Sequence, residues 1–423
     1  MKEYFLSLRD KYHINETLMQ QIFAAYDAVQ PYWQPISNHT WTAQIKILNA
    51  FQKHQASDFH LNGSTGYGYG DTGRDILELI WADIFQAEKA LVRANIASGT
   101  HALALCLYGN LLPGDTFVSI SGQPYDTLQT IIGHDREPGT LSELDIQHKV
   151  VDLKEDMFDF VAIARTVTAD TKMVCIQRSR GYSWRKSLSI AKIAEAIAFV
   201  KQINPQIICF VDNCYGEFVE LQEPLEVGAD LIAGSLIKNP GGGLAPRGGY
   251  IAGRADLVDR AAIRLTAPGI AEDVGSALDF NRLAFQGLFM APLIVEQAMK
   301  GAIFAAQLLS QLGYQVSPAA GEARTDIIQA IRLDTPERIR KFCKGIQIAS
   351  PLDAHVTPYD AELPGYDDPV IMAGGTFVQG SSIELSIDGP MREPYIVYMQ
   401  GGLSVAHVIA GVVAAVGQME QSE

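Results

Sequence analysis

The sequence predicts an α/β fold in which a mostly parallel sheet lies between layers of helices. Short apolar runs that suit strands alternate along the chain with stretches that suit helices. The runs 207–211 and 231–235 are almost wholly apolar, which is typical of strands buried on both faces. We therefore expect a helical N-terminal arm over 1–63, a large α/β domain over 64–288 and a small α+β domain over 289–423.

The elements can be placed in chain order. The arm should contain helices at 4–10, 16–30 and 41–54, with Pro31 and Pro35 breaking the run between the last two. A glycine-rich loop and a helix at 74–85 follow. The expected strands are 90–96, 116–120, 172–177, 207–211 and 231–235, with helices from about residue 101 and at 189–202. The C-terminal part should hold a long apolar helix at 280–312 and strands at 330–333 and 382–387.

Composition limits the classes of function. The 423 residues carry a net charge of −15, whereas proteins that bind nucleic acid or anionic membranes usually carry a basic surplus. Only 19% of the residues are charged and 48% are hydrophobic, which favours a homo-oligomer with extra buried surface. We expect neither a nucleic-acid partner nor a membrane partner.

Targeting signals and metal motifs are not found. Residues 1–10 lack the basic and apolar regions of a secretory signal, and the apolar run 405–416 is too short to span a bilayer. The five cysteines are odd in number, widely spaced and without a CxxC pair. This pattern predicts free thiols, a cytoplasmic protein and no metal site.

Two polar residues end neighbouring strands. Asp212 follows the apolar run 207–211, at the sheet edge where α/β proteins bind ligands, although alone it could be a turn or cap residue. Lys238 ends the run 231–237 beside the glycines of 239–243. Burial should lower the pKa of such a lysine and make its amine a nucleophile towards an aldehyde.

This pair suits pyridoxal phosphate. A lysine can form a Schiff base with the cofactor, and a carboxylate can keep the ring nitrogen protonated. Ser98, Gly99 and Thr100 lie between a strand and an apolar helix, where backbone N–H groups and hydroxyls can bind a phosphate. Taken alone, Ser98 or Thr100 would be an ordinary helix N-cap.

With these residues in place, the sequence resembles the fold-type-I pyridoxal-phosphate enzymes, and among them the cystathionine lyase and methionine gamma-lyase group. It is most similar to the subgroup of cystathionine beta-lyase-like proteins linked to aluminium resistance. The segments that carry the resemblance are 66–71, 96–102, 177–182, 211–217, 235–242 and 391–395.

The resemblance implies a role for each matching position. Lys238 would bind the cofactor covalently and later carry protons, and Asp212 would pair with the ring nitrogen. Tyr125 would stack on the ring and is a candidate proton donor, although it could equally be a core aromatic. The residues implied at the phosphate are Ser98, Gly99, Thr100 and Ser235.

The resemblance also implies shared active sites. Tyr69 matches a tyrosine that the family donates to the phosphate of the neighbouring subunit. Two chains would then build each site, in a homo-oligomer whose dimers pair into a tetramer.

The sequence departs from the family at three positions, two of which hold an arginine in the family. Asp71 replaces a phosphate-binding arginine, with Arg74 the nearest substitute, and Ile237 replaces a hydroxyl residue. Glu384 stands where the family has the arginine that binds the substrate carboxylate. Arg392 and Arg180 are candidate replacements because a guanidinium binds a carboxylate through two hydrogen bonds. A surface ion pair is an equal alternative for Arg392.

The resemblance implies a carbon–sulfur lyase that acts on a small sulfur-containing amino acid by beta or gamma elimination. Transamination, aldol cleavage and racemisation remain alternatives, because one fold supports several reactions. A further alternative is a non-catalytic binding protein on the same fold, linked to metal resistance.

Overall fold

The computed structural model describes residues 1–363 and 366–420, and contacts group them into two compact units. The larger unit contains residues 42–181 and 185–291. The other contains residues 1–41 and 182–184 and the described part of 292–423. The predicted N-terminal arm, residues 1–63, is thus shared between the two units. The domain boundaries expected after residues 63 and 288 stay predictions.

The helices and strands have the following bounds. The helices are α1 (Lys2–Tyr12), α2 (Glu16–Lys53), α3 (Thr72–Phe85), α4 (Gly99–Asn110), α5 (Asp126–Ile132), α6 (Phe160–Thr166), α7 (Ile190–Ile203), α8 (Ala255–Leu265), α9 (Phe280–Gln311), α10 (Pro336–Ile348) and α11 (Val405–Glu420). The strands are β1 (Lys89–Arg93), β2 (Thr116–Ser119), β3 (Gln147–Val150), β4 (Leu153–Lys154), β5 (Met157–Phe158), β6 (Thr171–Gln177), β7 (Ile208–Asp212), β8 (Leu231–Ser235), β9 (Gly249–Gly253), β10 (Gln315–Ser317), β11 (Gln329–Arg332), β12 (Asp360–Ala361), β13 (Val370–Ala373), β14 (Ser386–Pro390) and β15 (Ile396–Gln400).

The sheet of the larger unit has the strand order β1-β9-β8-β7-β6-β2-β3. Strands β8, β7, β6, β2 and β3 are parallel, whereas β9 pairs antiparallel with both β1 and β8. The predicted α/β class with a mostly parallel sheet is therefore confirmed. Every residue of β7, β8 and β9 is buried, as expected for strands covered on both faces.

The expected strands of this sheet are present as β1, β2, β6, β7 and β8; β8 has the predicted bounds and the other four have shifted ends. Two strands were not predicted from the sequence: β3, an edge strand of largely polar, partly exposed residues, and β9, which is bounded by glycines. Both lack the long apolar run on which the predictions depended. In the other unit, strand β14 begins four residues later than the predicted segment 382–387.

The other unit has an antiparallel sheet in the order β10-β11-β15-β14-β13-β12. A single apolar cluster joins this sheet to α1, α10 and α11, with Phe5, Phe342 and Val412 among its fully buried members. The part of the chain after residue 289 therefore has the α+β character that the sequence predicted.

Helix α2 corrects one prediction, because it runs unbroken through Pro31 and Pro35. A proline inside a helix removes one backbone hydrogen bond, here to the carbonyl of Asp27. Pro31, Pro35 and Asp27 are all exposed, so water can hydrate the freed carbonyl. Between the prolines, Trp33 Nε1 donates to Lys300 O at 3.2 Å, and this tertiary contact helps to hold the helix together.

Helix α9 is long and apolar enough, by length and composition, to cross a membrane. Core helices of soluble proteins pass the same test. In this structure, 72% of its most apolar 18-residue window is buried among the described residues.

Replacing Pro31 by alanine should stabilise the protein. Pro31→Ala restores a backbone donor at an exposed position, and we expect the free energy of unfolding to rise by about 1–3 kcal/mol. Urea denaturation followed by circular dichroism measures the change.

Pro336→Ala is the matched control, because Pro336 stands at the first turn of α10, where proline costs a helix little. This control should be neutral or slightly destabilising. A Pro31→Ala protein that is no more stable than the control would contradict the account of α2.

Candidate active site

The adjacent parallel strands β7 and β8 bring two predicted site residues to the same end of the sheet. Asp212 is the last residue of β7 and pairs with Ala233 of β8. Strand β8 ends at Ser235, and the chain continues to Lys238. Asp212 is 9% exposed and Lys238 is partly buried. Each of the two side chains shifts the pKa of the other.

The ammonium of Lys238 rests on an aromatic ring, with its Nζ 4.0 Å from the centre of the Tyr215 ring. Desolvation lowers the pKa of Lys238. The surrounding acidic groups raise the pKa by more than desolvation lowers it, so it lies well above its usual value. These groups are Cys214, Tyr215, Asp212 and Tyr125. The expectation of a lowered pKa is therefore wrong, because it considered burial without these neighbours.

Asp212 is held by the loop that follows it. Its Oδ1 accepts a hydrogen bond from Cys214 N at 3.1 Å. Desolvation raises the pKa of Asp212, and Lys238 and the hydrogen bonds from Cys214 partly offset this rise. The carboxyl group can therefore hold a negative charge when a cationic partner faces it.

The predicted phosphate-binding residues converge at the N-terminus of α4. The N-cap alternative for Ser98 is realised, since its side chain accepts a hydrogen bond from His101 N at 3.1 Å. A Cβ atom on Gly99 would lie 3.1 Å from Ser235 Cβ, so Ser235 packs against the first residue of the helix. The glycine leaves the backbone N–H groups accessible to an anion.

Tyr125 joins this helix end to the sheet. Its hydroxyl lies 3.0 Å from Thr100 Oγ1, and its backbone N–H donates to Gln177 Oε1 at 2.9 Å. Burial and the charge of Asp212 raise the pKa of Tyr125, against the effect of Lys238. The phenol therefore stays protonated at neutral pH and can donate that proton.

These residues fit pyridoxal phosphate. The larger unit offers an amine for the aldehyde at Lys238, a carboxyl group for the ring nitrogen at Asp212, and a cradle at Gly99 that a side chain would fill. In the part of the chain that the structure describes, no three His, Cys, Asp or Glu side chains come together as metal ligands do.

Glu217 is a site residue to which the sequence analysis gave no role. Its side chain is 0% exposed, and Tyr250 donates a hydrogen bond to its Oε1 at 2.7 Å. Its Oε2 has no hydrogen-bond partner among the described residues. Desolvation raises the pKa of Glu217 to about 8, so it is largely protonated at neutral pH. The sequence signal that could have indicated a role for Glu217 is its position in the loop after the buried strand β7.

Arg178 was missed as well, and it is fully buried beneath the loop 213–218. Its Nη1 donates to Asn213 Oδ1 at 2.7 Å and forms an ion pair with Glu223 at 3.4 Å. A Cβ on Gly216 would lie 2.5 Å from the Arg178 side chain. Arg178 thus fixes the loop that follows Asp212.

The two arginines predicted to bind the substrate carboxylate have different surroundings. Arg180 follows β6 in the larger unit and is 1% exposed. Arg392 belongs to the other unit, where its side chain is 40% exposed. Its Nη1 donates to Asp368 at 3.0 Å and its Nη2 to Tyr182 O at 3.4 Å. The ion-pair alternative for Arg392 is therefore present in the structure.

Glu384 has a structural role at the position where the resemblance expected an arginine. It is buried, and its carboxylate accepts hydrogen bonds from the backbone of Phe377 at 2.8 Å and of Val378 at 2.9 Å. Glu384 thus holds the loop that leads to it.

The glycine-rich loop before α3 is tied down from both sides. Asp71 caps α3 by accepting from Arg74 N at 2.9 Å and also accepts from Ala277 N at 3.0 Å. Arg74 Nη1 donates to the carbonyls of Gly68 at 3.0 Å and Gly275 at 3.1 Å. Arg74 therefore anchors this loop. The sequence had suggested it only as a substitute phosphate ligand.

Two tyrosines project from the anchored loop into solvent. Tyr69 is 64% exposed and stacks on Tyr67, with 5.5 Å between the ring centres. Within the larger unit, neither ring is covered by the core. The pair is available to a partner molecule.

All five cysteines are free thiols, as the sequence predicted. Burial raises the pKa of each thiol, to about 12 for Cys209. Cys175 is half-buried and the other four are buried. Cys214 is the one that hydrogen-bonds Asp212.

The parallel sheet, the lysine beyond a strand end and the anion cradle define a fold-type-I pyridoxal-phosphate enzyme. Residues 18–420 match the family model for methionine gamma-lyase, and the chain belongs to this family. The family, the fold type and pyridoxal phosphate as the cofactor are thereby confirmed.

Individual relatives support the predicted subgroup. The chain is 50% identical over 381 residues to the uncharacterized protein YnbB of Bacillus subtilis (strain 168), covering 89% of this chain and 90% of that protein. A Clostridium acetobutylicum structure, described as a candidate cystathionine beta-lyase involved in aluminium resistance, is 47% identical with a TM-score of 0.95 over 98% of both chains. A carbon–sulfur lyase involved in aluminium resistance from Clostridium novyi NT is 45% identical, with a TM-score of 0.93 over 98% of both chains.

Glu217 should make stability depend on pH. Its pKa is about 8 in the folded chain and 4.5 when unperturbed, so folding takes up a proton between these values. Its contribution to the free energy of unfolding is fully present below about pH 4.5 and declines by about 1.4 kcal/mol per pH unit until pH 8.

The variant Glu217→Gln lacks this titration and keeps an oxygen for Tyr250. We expect its stability relative to the unmodified protein to rise steadily between pH 5 and pH 8, measured by urea denaturation. Parallel pH profiles for the two proteins would show that Glu217 has an ordinary pKa.

Proposed function

We propose that the protein is a carbon–sulfur lyase that cleaves a sulfur-containing amino acid by beta or gamma elimination. The observation that carries the proposal is the meeting of Lys238, Asp212 and Tyr125 at one end of the parallel sheet, in a chain that belongs to the methionine gamma-lyase family. The relatives described as lyases support this reaction over transamination, aldol cleavage or racemisation.

Three residues would perform the proton transfers. When bound, the cofactor supplies an electron-accepting ring. Asp212 would hold the proton on the ring nitrogen, and Lys238 Nζ would take the α-proton of the substrate. Tyr125 keeps its proton at neutral pH and would give it to the departing sulfur.

Binding would be shared among the remaining predicted residues. The N-terminus of α4, formed by Ser98, Gly99 and Thr100, would bind the phosphate together with Ser235. Arg180 or Arg392 would bind the substrate carboxylate. Because Arg392 already pairs with Asp368, a substrate would have to replace that carboxylate.

We also propose that the protein is a cytoplasmic homo-oligomer, at least a dimer and by resemblance a tetramer. The exposed pair of Tyr67 and Tyr69 on an anchored loop supports this, since large exposed aromatic rings mark interaction surfaces. Tyr69 would reach the phosphate of the neighbouring subunit.

Lys238→Ala tests the cofactor lysine and the reaction together. The unmodified protein should absorb near the visible edge when loaded with pyridoxal phosphate, and should release a keto acid and a thiol from cystathionine, methionine or cysteine. Lys238→Ala should lose both the absorption band and product release, because alanine has no amine to bond the cofactor or to take the α-proton.

Lys154→Ala removes an exposed lysine and serves as the matched control, with both properties expected to be retained. If Lys238→Ala keeps the band, Lys238 is not the cofactor lysine. If the loaded protein shows the band but releases no thiol, the lyase assignment gives way to another reaction or to a binding role.

Mixing two inactive variants tests the shared site. Tyr69→Ala and Lys238→Ala should each be nearly inactive alone. When they are unfolded and refolded together, about a quarter of the sites should combine an intact Lys238 with an intact Tyr69 from the other subunit.

Product release by the mixture at about this fraction of the unmodified rate is the expected result. A mixture as inactive as its components, although mixed dimers form, would mean that Tyr69 acts within its own subunit or not at all.

A further inference from the structure

The loop 213–218 places an aromatic ring beneath Lys238. Tyr215 adopts a left-handed backbone conformation with φ of 71°, which is uncommon for a residue other than glycine. This conformation presents its ring to Lys238, with Nζ 4.0 Å from the ring centre.

The backbone of the Tyr215 loop is held by contacts that do not involve Lys238 Nζ. Asn239 Nδ2 donates to the carbonyl of Tyr215 and to that of Glu217, each at 3.0 Å. At the far end of the loop, Phe218 N donates to Glu223 Oε1 at 2.8 Å. The backbone that carries the ring is therefore held by contacts that do not depend on the ammonium.

An ammonium and a neutral amine interact differently with such a ring. The face of an aromatic ring attracts a cation within about 6 Å, most strongly when water is excluded, and has little attraction for a neutral amine. The Tyr215 face therefore favours the protonated form of Lys238. The other titratable groups that face this amine are Asp212, Cys214, Tyr125 and Glu217.

We propose that the ring of Tyr215 is the resting place of the Lys238 amine whenever that amine is protonated, both in protein without cofactor and after it has taken up the α-proton, which makes Tyr215 a positioning residue for the proton that Lys238 carries. The inference rests on the proposed role of Lys238 as the cofactor lysine. A lysine released from the cofactor has four flexible carbons, and the ring limits where its proton can be.

The rate at which full-length protein freed of cofactor takes up pyridoxal phosphate tests this role. Only the neutral amine attacks an aldehyde, so the rate should rise with pH as Lys238 loses its proton. In Tyr215→Leu the midpoint of this rise should lie about one pH unit lower than in the unmodified protein, with uptake about tenfold faster at neutral pH. Tyr215→Phe keeps the ring face but loses the acidic hydroxyl, so its midpoint should lie between those of Tyr215→Leu and the unmodified protein.

An unchanged midpoint in Tyr215→Leu overturns the proposal, even if cofactor affinity falls, because a merely structural role would not move the titration. Should Tyr215→Leu fail to fold, Tyr215→Trp decides the question, since the indole attracts a cation more strongly and should move the midpoint to higher pH. Failure of the proposed function can be told apart from failure of this proposal. If Lys238 is not the cofactor lysine, the absorption band survives in Lys238→Ala, whatever the Tyr215 variants show.

Discussion

The larger unit must hold the carboxyl group of Asp212 and the ammonium of Lys238 at the same end of an apolar sheet. The sheet alone cannot stabilise them, because strands β7 and β8 are buried along their length. The stabilising groups come from the loops: Cys214 donates to Asp212, Tyr215 lies beneath Lys238, and Arg178 fixes the loop between them. Charges that are removed from water are costly without such partners.

Much of this arrangement could be predicted because it depends on order along the chain. The apolar runs before Asp212 and Lys238 identified the two strands, and the rule that ligands bind at the carboxyl ends of parallel strands brought the two residues together. The position of Gly99 at the start of α4 followed from the same alternation. The roles of these residues towards cofactor and substrate stay proposals.

The rest depends on contacts between distant segments, which a pattern in one segment cannot contain. The pKa of Lys238 rises because four acidic groups surround it, and Arg74 binds carbonyls up to 201 residues away. Helix α2 continues through Pro31 because the proline is exposed and Trp33 is tied to Lys300. Glu384, expected to mark a lost substrate contact, binds the backbone of its own loop.

The state of the cysteines has a consequence for redox chemistry. A thiolate reacts with disulfides and oxidants, whereas a thiol does so slowly. Because burial raises the pKa of all five thiols, the folded protein presents little thiolate at neutral pH. If the proposed reaction releases a thiol beside Cys214, disulfides formed later by oxidation of that product would meet little protein thiolate, so thiol–disulfide exchange with the enzyme's own cysteines would be slow.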